Sequence, residues 1–381
     1  MNEEFDIINC KENQESSKNL LSLFESGTAV LFVGSGISRR LGYPSWEGVL
    51  QDLGALVQNA KVRELAEEMI KKEQLLHAAE IIKTHLPEGL YNSKFEEIFK
   101  HKNPSHDEFH QTLVRLKVKG FITTNYDPVI EAALRAMQDR YFDCTAMISE
   151  TTKKDIRKVF KSLANINWNQ RMHLYLHGKF NYPLTFILSY GDYVKKYDGI
   201  DIKKSSTYKA LLTGKINIDA FESKMQIKDY ALRTLHYKTV YLLMATQRII
   251  YCGYGLRDPY LKKITDDIQR DFDPAYDDYH FALVSSNESK NWNRSDYLRW
   301  REEWSLKGID IVFFQDNDKF KGIEDFVGNL SPESFIGSLP KPELGMGRHE
   351  QDTQVEPSGD PNINKVLISK ARKAAQELKR K

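Results

Sequence analysis

TAVLFVGSGISRRLGYPSW, residues 28–46, is the segment from which the architecture of this chain can be worked out. It begins with an apolar run, Ala29 to Val33, which predicts a short strand buried on both faces. The run ends at Gly34–Ser38, where two glycines allow a sharp turn and a close approach to a ligand. Successive N–H groups at the start of the following helix could then bind a phosphate. The segment predicts a nucleotide site, although glycine turns after strands are often purely structural.

The composition is that of an ordinary globular protein. The 381 residues include 41% hydrophobic and 28% charged side chains, with a formal net charge of +2. This length suits two or three domains, or one large α/β domain with an insertion. The balanced charge gives no reason to expect a surface that coats nucleic acid, so any basic contact must be local.

Targeting and cysteine patterns favour a cytoplasmic protein. No apolar run approaches the roughly 18 residues of a membrane span, and residues 1–14 are acidic and polar rather than signal-like. Cys10, Cys144 and Cys252 are far apart and form no CxxC pair. This spacing argues against a zinc ribbon and against a disulfide framework. We therefore expect a cytoplasmic protein that does not associate with a membrane.

Apolar periodicity predicts alternating helices and strands. Residues 15–25 predict a helix, and residues 46–117 carry apolar side chains at helical spacing, which predicts a helical insertion between two strands. Two further strands, at 280–286 and 308–314, flank another helix. This alternation, with short glycine turns, is typical of a doubly wound, Rossmann-like parallel sheet. We predict one such α/β domain over residues 15–335.

A second strand is predicted within residues 120–130. Thr124, Asn125 and Asp127 follow its apolar residues, at the carboxyl end where open α/β sheets bind ligands. Asp127 with Pro128 also has the pattern of a helix N-terminus, so capping is an alternative role for Asp127. Asn125 has no such evident structural role.

Two later strand ends carry similar signals. Residues 171–176 predict a strand that ends at His177, and a histidine with a pKa near neutrality could act as a base without extreme tuning. A histidine beside a glycine is also commonly a turn residue. Residues 248–252 predict another strand, followed by the GYG turn at 253–255 and a helix that opens at Asp258. This turn could again offer N–H groups to an anion.

In this order, the four motifs resemble those of sirtuins, particularly the sirtuin-like domains of bacterial anti-phage defence proteins that hydrolyse NAD. Sirtuins carry a G-A-G-x-S loop, a T-Q-N-x-D strand end, a catalytic H-G pair and a G-T-S-type loop. The counterparts here are residues 34–38, 123–127, 177–178 and 253–255. The likeness covers roughly residues 29–314, and four ordered motifs are far more specific than one.

The resemblance implies that NAD is a substrate, that nicotinamide and ADP-ribose are the products, and that no metal is required. It implies that Asn125 orients the attacking water or a ribose hydroxyl, that His177 acts as the base, and that Asp127 holds the nicotinamide carboxamide. The first loop would contact the phosphates, and the GYG turn would lie near the adenosine half. The NAD-binding residues on this basis are Gly34, Ser35, Gly36, Ile37, Ser38, Thr124, Asp127, Gly253, Tyr254 and Gly255.

Two departures from the deacylating sirtuins leave other activities open. Those enzymes carry two cysteine pairs for zinc after the histidine, which residues 179–193 lack, and a G-I-P-D-F-R segment where this chain has GYPSW at 42–46. The predicted fold therefore has no zinc module, and an acyl-lysine substrate is disfavoured. The alternatives are a protein deacylase or ADP-ribosyltransferase and a non-catalytic NAD or ADP-ribose sensor.

His106 and His110 offer a weaker signal for a metal. They are one helical turn apart, as zinc ligands can be. The residue after His106 is Asp107 rather than the glutamate of a zincin motif, and the sequence shows no evident third ligand. We therefore expect no metal site here.

The C-terminal sequence predicts a linker and a basic amphipathic tail. Residues 337–361 are rich in proline, glycine and polar residues. Residues 362–381 can place apolar side chains on one helical face among many basic residues. The tail is interpreted either as a solvated terminus or as a docking helix for a second copy, a partner protein or DNA.

The resemblance also implies control by a partner, because unregulated NAD hydrolysis would kill the host. Free-standing relatives of this length are often encoded beside a HerA-type hexameric DNA-translocase ATPase and assemble with it. We therefore expect a homo-oligomer that pairs with such an ATPase, and direct contact with nucleic acid stays open. The helical insertion is the candidate for an autoinhibitory cover.

Overall fold

The structure is a computed structural model that describes most of the chain. The described residues are 5–137, 143–149, 153–199, 208, 234–256, 258–272, 280–289, 292–316 and 321–337. The predicted linker, except for its first residue, and the predicted basic tail lie outside them. No helix in the described ranges combines the length and the apolar character needed to cross a membrane.

The first predicted strand lies at the centre of a sheet. β1 (Val30–Val33) has a parallel neighbour on each side, and Leu31 is in register with Phe121 on one side and Ile250 on the other. Phe32 packs into one hydrophobic core and Leu31 into a second, because successive side chains of a strand point to opposite faces. An uninterrupted apolar strand is thus buried on both sides, as predicted.

The sheet is parallel throughout the described residues. Its strands are β1, β2 (Phe121–Thr123), β3 (Thr145–Met147), β4 (His173–Tyr175), β5 (Ile249–Cys252), β6 (His280–Ser285) and β7 (Ile309–Phe314). Their spatial order is β3-β4-β2-β1-β5-β6-β7. The order reverses direction at β1, since β2 lies on one side of it and β5 on the other. This arrangement confirms the predicted doubly wound, Rossmann-like fold.

Helices cover both faces of the sheet. They are α1 (Lys11–Ser26), α2 (Ser35–Ser38), α3 (Trp46–Gly54), α4 (Ala60–Lys71), α5 (Leu75–His85), α6 (Glu88–Phe99), α7 (Glu108–Arg115), α8 (Val129–Met137), α9 (Lys153–Ala164), α10 (Tyr190–Tyr193), α11 (Leu235–Thr246), α12 (Pro259–Phe272), α13 (Arg294–Ser305) and α14 (Lys321–Gly328). The face that contains Leu31 packs against α1, α7, α8 and α14. The face that contains Phe32 packs against α9, α11, α12 and α13.

Helices α3 to α6 form a helical subdomain with its own hydrophobic core. Ile82 and Phe95 are completely buried there, and Tyr126, which follows β2, packs into the same core. α7 instead packs on the sheet through Phe109. The predicted insertion, 46–117, therefore contains four helices of this subdomain and a fifth that belongs to the layer covering the sheet.

Candidate active site

The loops that follow β1, β2, β4 and β5 meet at the carboxyl end of the sheet. They surround a cleft of about 720 Å³. The cleft lies where the strand order reverses, which is where doubly wound sheets bind ligands. Trp46 and Val49 of the helical subdomain contribute a further wall. The fold thus brings four motifs that are far apart in the sequence to one place.

Most of the predicted site residues line this cleft. They are Ser35, Gly36, Ile37, Ser38, Thr124, Asn125, Asp127, His177, Gly253, Tyr254 and Gly255. Residues Ser35–Ser38 form one helical turn, α2, rather than an open loop. Gly34 is the predicted residue that does not line the cleft.

Gly34 differs from its predicted role as a phosphate contact. Its N–H donates to the Cys252 carbonyl oxygen (2.9 Å), and the N–H of Gly36 donates to the Gly253 carbonyl oxygen (2.9 Å). A Cβ atom on Gly34 would lie 2.3 Å from that Gly253 oxygen, which is closer than non-bonded atoms approach. Glycine is therefore required because two strand-end loops touch here, and these two amides bind the neighbouring loop instead of a ligand.

Asn125 is fixed on the cleft wall by bonds that join β2 to β1. Its side-chain Nδ2 donates to Ser38 Oγ (3.3 Å), and its backbone N–H donates to Thr123 Oγ1 (2.9 Å). Thr123 in turn donates to the Val33 carbonyl oxygen (2.7 Å). With its nitrogen directed at Ser38, the amide oxygen is the group that can accept a hydrogen bond from a ribose hydroxyl or a water molecule.

Asp127 caps a helix and also lines the cleft. Its carboxyl group accepts a hydrogen bond from the Val129 N–H (3.1 Å) at the start of α8, so the alternative capping role is present. Burial raises the pKa of Asp127, and the hydrogen bonds from Val129 and Ser38 oppose that effect. The remaining capacity of this carboxyl group suits it to bind an amide such as the nicotinamide carboxamide.

His177 is buried beyond β4 between two tyrosines. The Tyr193 hydroxyl donates to Asp258 Oδ2 (2.7 Å), so it accepts from His177 Nδ1, which lies 3.3 Å away. The Tyr197 hydroxyl lies 3.1 Å from His177 Nε2 and donates to it when the ring is neutral. Asp258, Tyr193, His177 and Tyr197 therefore form one hydrogen-bonded chain.

The environment makes His177 a weaker base than an unperturbed imidazole. Burial lowers the pKa of His177 to about 4, and the negative charge of Asp258 only partly opposes this effect. A neutral ring with this pKa can still take a proton from water that is attacking a strongly electrophilic carbon.

We predict that the protein loses stability as the pH falls from 6.5 to 4. Burial lowers the pKa values of His77, His173 and His177 to about 4, so the unfolded chain binds protons in this range that the folded chain does not. Above pH 6.5 these neutral rings make their full contribution to the free energy of unfolding. As the pH decreases below 6.5, that contribution falls by up to about 1.4 kcal/mol per pH unit for each histidine. Urea unfolding at pH 7.5, 6.0 and 5.0 measures this change.

His173→Phe provides the test variant, because both ring nitrogens of His173 are buried without a hydrogen-bond partner in the described part of the chain. Its unfolding free energy should fall less steeply between pH 6 and 5 than that of the wild type. Replacement of the exposed His101 by asparagine is the control and should leave the slope unchanged. If the unfolding free energy of His173→Phe changes with pH as steeply as that of the wild type, the lowered pKa of His173 does not contribute to the pH dependence.

Several cleft residues were not predicted from the sequence. The carboxylates that line the cleft, within the described residues, are Asp127, which was predicted, and Glu47, Asp258, Glu288 and Asp316, which were not. Arg39 is the one arginine or lysine among these described lining residues, so it is the candidate cation for binding a diphosphate. Glu288 and Asp316 follow β6 and β7, so the rule that ligands bind at the carboxyl ends of strands could have found them. The contact between Asp258 and His177 had no local signal.

The alternative metal pair is not arranged as ligands. No group of three or more histidine, cysteine, aspartate or glutamate side chains in the described ranges could hold a metal ion. His110 Nδ1 instead lies 2.6 Å from the Asp107 carboxylate, within the capping box that begins α7.

Comparison with known proteins finds related chains. Residues 119–310, just over half of the chain, match the SIR2-like domain family. Over 256 residues the chain is 23% identical to NAD(+) hydrolase ThsA of Enterococcus faecium, covering 66% of this chain and 42% of that protein. Over 170 residues it is 27% identical to NAD(+) hydrolase ThsA of Bacillus cereus (strain MSX-D12), covering 44% of this chain and 31% of that protein. The aligned regions thus span less than half the length of each relative.

Proposed function

Because the chain belongs to the SIR2-like domain family, we propose that it is an NAD⁺ hydrolase that cleaves the nicotinamide–ribose bond and releases nicotinamide and ADP-ribose. The observation that carries this proposal is the meeting of Asn125, Asp127 and His177 with two glycine-bearing turns around one cleft. The two relatives named NAD(+) hydrolase ThsA support the same reaction.

The reaction exchanges a C–N bond for a C–O bond. The bond between ribose C1′ and the nicotinamide nitrogen breaks, and its electron pair goes to nitrogen, so the pyridinium leaves as a neutral ring. The oxygen of water then bonds to C1′ and loses a proton. Because positive charge develops on the ribose, the site must hold the substrate in place, orient the water and exclude other nucleophiles.

The cleft residues can hold the substrate and orient the water. The amide oxygen of Asn125 would orient the water or a ribose hydroxyl, and Asp127 would hold the carboxamide. His177 would accept the proton lost by water, and the imidazolium that forms would be stabilised by Asp258 Oδ2, 3.7 Å from Nε2. A weak base is sufficient because the electrophilic C1′ attracts water before the proton is lost. Arg39 would pair with the diphosphate.

We predict that the purified chain converts NAD⁺ into nicotinamide and ADP-ribose with no acyl peptide present. The expected result follows from a cleft that can orient water without a second substrate. Liquid chromatography coupled to mass spectrometry measures both products, for the chain alone and together with a genetically adjacent HerA-type ATPase. His177→Ala is the inactive comparison. Nicotinamide release that requires an acyl peptide would show a deacylase instead.

A second candidate function is that of an NAD or ADP-ribose sensor without catalysis. The observation that favours it is the hydrogen-bonded chain at His177, since both ring nitrogens already contact tyrosine hydroxyls. A sensor would bind NAD⁺ in a calorimeter and release no nicotinamide at any partner concentration.

We also propose that this cytoplasmic activity serves anti-phage defence by NAD⁺ depletion and that the chain forms a homo-oligomer paired with a HerA-type ATPase. The support is the resemblance of the four motifs to those of defence proteins. We predict a mass above that of the monomer in size-exclusion chromatography with light scattering, and co-elution with the ATPase. A monomer at high concentration, both with and without the ATPase, would contradict the assembly proposal.

A further inference from the structure

His110 lies at the contact between α7 and the cleft. It is on the first turn of α7, and it is completely buried. Its Nε2 lies 3.2 Å from the carbonyl oxygen of Ile37 in α2. Its Nδ1 lies 2.6 Å from Asp107 Oδ1. Ile37 lines the cleft and His110 does not. The histidine therefore contacts a cleft residue without itself lining the cleft.

Both neighbours of this imidazole ring are hydrogen-bond acceptors. A carbonyl oxygen and a carboxylate oxygen cannot donate, so the ring satisfies both only when each of its nitrogens carries a hydrogen. The backbone N–H of Asp107 also lies 3.3 Å from Nδ1. The 2.6 Å contact to the carboxylate is much shorter and has the length of a charge-assisted hydrogen bond. The ring therefore joins α7 to α2, with Nε2 donating to the Ile37 carbonyl oxygen and Nδ1 facing Asp107.

A second set of contacts holds the segment that follows α2. Asp107 Oδ2 lies 2.7 Å from Arg40 Nε, and an Arg40 Nη atom lies 3.1 Å from Glu324. The Arg40 guanidinium also lies over the ring of Phe109, 4.8 Å from its centroid. The beginning of α7 therefore holds the backbone on both sides of Ser38, the residue whose hydroxyl accepts the amide hydrogen bond from the cleft asparagine.

We propose that His110 is a positioning residue that couples α7 to the cleft by fixing the orientation of α2. With α2 fixed, Ser38 holds the Asn125 amide in place, and the lining residues 35–39 keep the shape that receives the substrate. The effect on turnover rests on the proposed function. The effect on dinucleotide binding is separate from it, because binding needs only the shape of the cleft.

Charged groups from several elements surround the ring. Burial disfavours the ionised form of Asp107, yet its hydrogen bond with the imidazole and the charge of Arg40 lower the pKa of Asp107 to about 2. Asp127, from the loop after β2, is attracted by a positive charge on the ring, whereas a protonated His106 is repelled by it. Glu324 of α14 faces Arg40.

The test compares two replacements of His110. His110→Phe keeps a ring without N–H groups, whereas His110→Gln keeps an amide that can donate. The probe is carba-NAD⁺, in which a methylene group replaces the ring oxygen of the nicotinamide ribose, so that it binds without being cleaved. We expect His110→Phe to raise the Kd for carba-NAD⁺ about 10-fold and to lower kcat for NAD⁺ about 30-fold, because small displacements of positioned groups are costly. His110→Gln should recover both values to within about threefold of the wild type.

The amide variant distinguishes this role from a merely structural one. His110→Gln removes the imidazole ring but still offers a donor to the Ile37 carbonyl oxygen. Recovery of binding by His110→Gln but not by His110→Phe would identify the hydrogen bond to α2 as the cause. If circular dichroism shows that His110→Phe is unfolded, the Kd of a folded His110→Gln variant decides the role of His110.

Three results would overturn the inference. They are a folded His110→Gln variant that binds carba-NAD⁺ about 10-fold more weakly than the wild type, a folded His110→Phe variant that binds carba-NAD⁺ as tightly as the wild type, and no binding of carba-NAD⁺ by the wild type. A wild-type chain that binds carba-NAD⁺ but does not cleave NAD⁺ would overturn the proposed function, while the Kd measurements would still decide the role of His110.

Discussion

Replacing Asn125 with alanine is expected to lower kcat for NAD⁺ hydrolysis by a factor of roughly 10² to 10³ while the chain stays folded. The variant loses the amide oxygen proposed to orient water or a ribose hydroxyl, together with the N–H that bonds to Ser38 at 3.3 Å. Asn125 is not part of a hydrophobic core, so little packing is lost. Nicotinamide release at saturating NAD⁺ measures kcat, and circular dichroism monitors the fold.

Two further variants control this experiment. Asn165 follows α9, is exposed and does not line the cleft, so Asn165→Ala should keep the wild-type kcat. Asn125→Asp keeps the shape of the side chain and an acceptor oxygen but removes the donor to Ser38, so it isolates the contribution of that hydrogen bond. A kcat for Asn125→Ala close to that of Asn165→Ala would contradict the assigned role.

Replacing Gly34 with alanine is expected to lower the free energy of unfolding by roughly 3 kcal/mol. The new Cβ atom would lie 2.3 Å from the Gly253 carbonyl oxygen and 2.5 Å from the Tyr254 Cα. Both of these atoms belong to the backbone, so no side chain can rotate away to relieve the overlap. The loops after β1 and β5 must separate, which weakens the hydrogen bond to Cys252. Urea unfolding measures the loss of stability, and NAD⁺ turnover should fall with it.

Gly89→Ala is the matched control for this substitution. Gly89 lies in α6, and no heavy atom lies within 4 Å of a Cβ atom built on it. The added methyl group should leave the free energy of unfolding unchanged or raise it slightly, because alanine favours a helix more than glycine does. Equal stabilities of the two variants would argue against the close approach of the strand-end loops.

The core strands and the four motifs could be predicted because each depends on a few neighbouring residues. The apolar runs before Gly34, Thr124, His177 and Gly253 predict strands, and parallel strands bring the loops at their carboxyl ends to one edge of the sheet. The same reasoning could have included Glu288, which comes after β6. The helical insertion was predicted from apolar spacing alone. The separate attachment of α7 to the sheet was not, because periodicity identifies an apolar face without showing which element covers it.

The chemistry of individual groups depended on contacts between distant residues. The tyrosines that flank His177 lie 16 and 20 residues further along the chain, and Asp258 lies beyond a further strand. An unperturbed histidine titrates near neutrality, but burial lowers the pKa of His177 to about 4. In the same way, the glycine at position 34 is explained by the carbonyl oxygen of Gly253, and the two acceptors of His110 come from different elements.

The order of apolar runs, turns and helices along this chain was therefore enough to establish a doubly wound parallel sheet with its candidate site at the carboxyl edge. Strand burial and turn formation are set by short stretches of neighbouring residues, which the sequence states directly. The tertiary structure alone decided which amides are free for a ligand, how basic His177 is and how Asn125 is held. Desolvation, hydrogen bonding and steric contact depend on the groups that surround an atom in space, and in this fold most of those groups come from distant parts of the chain.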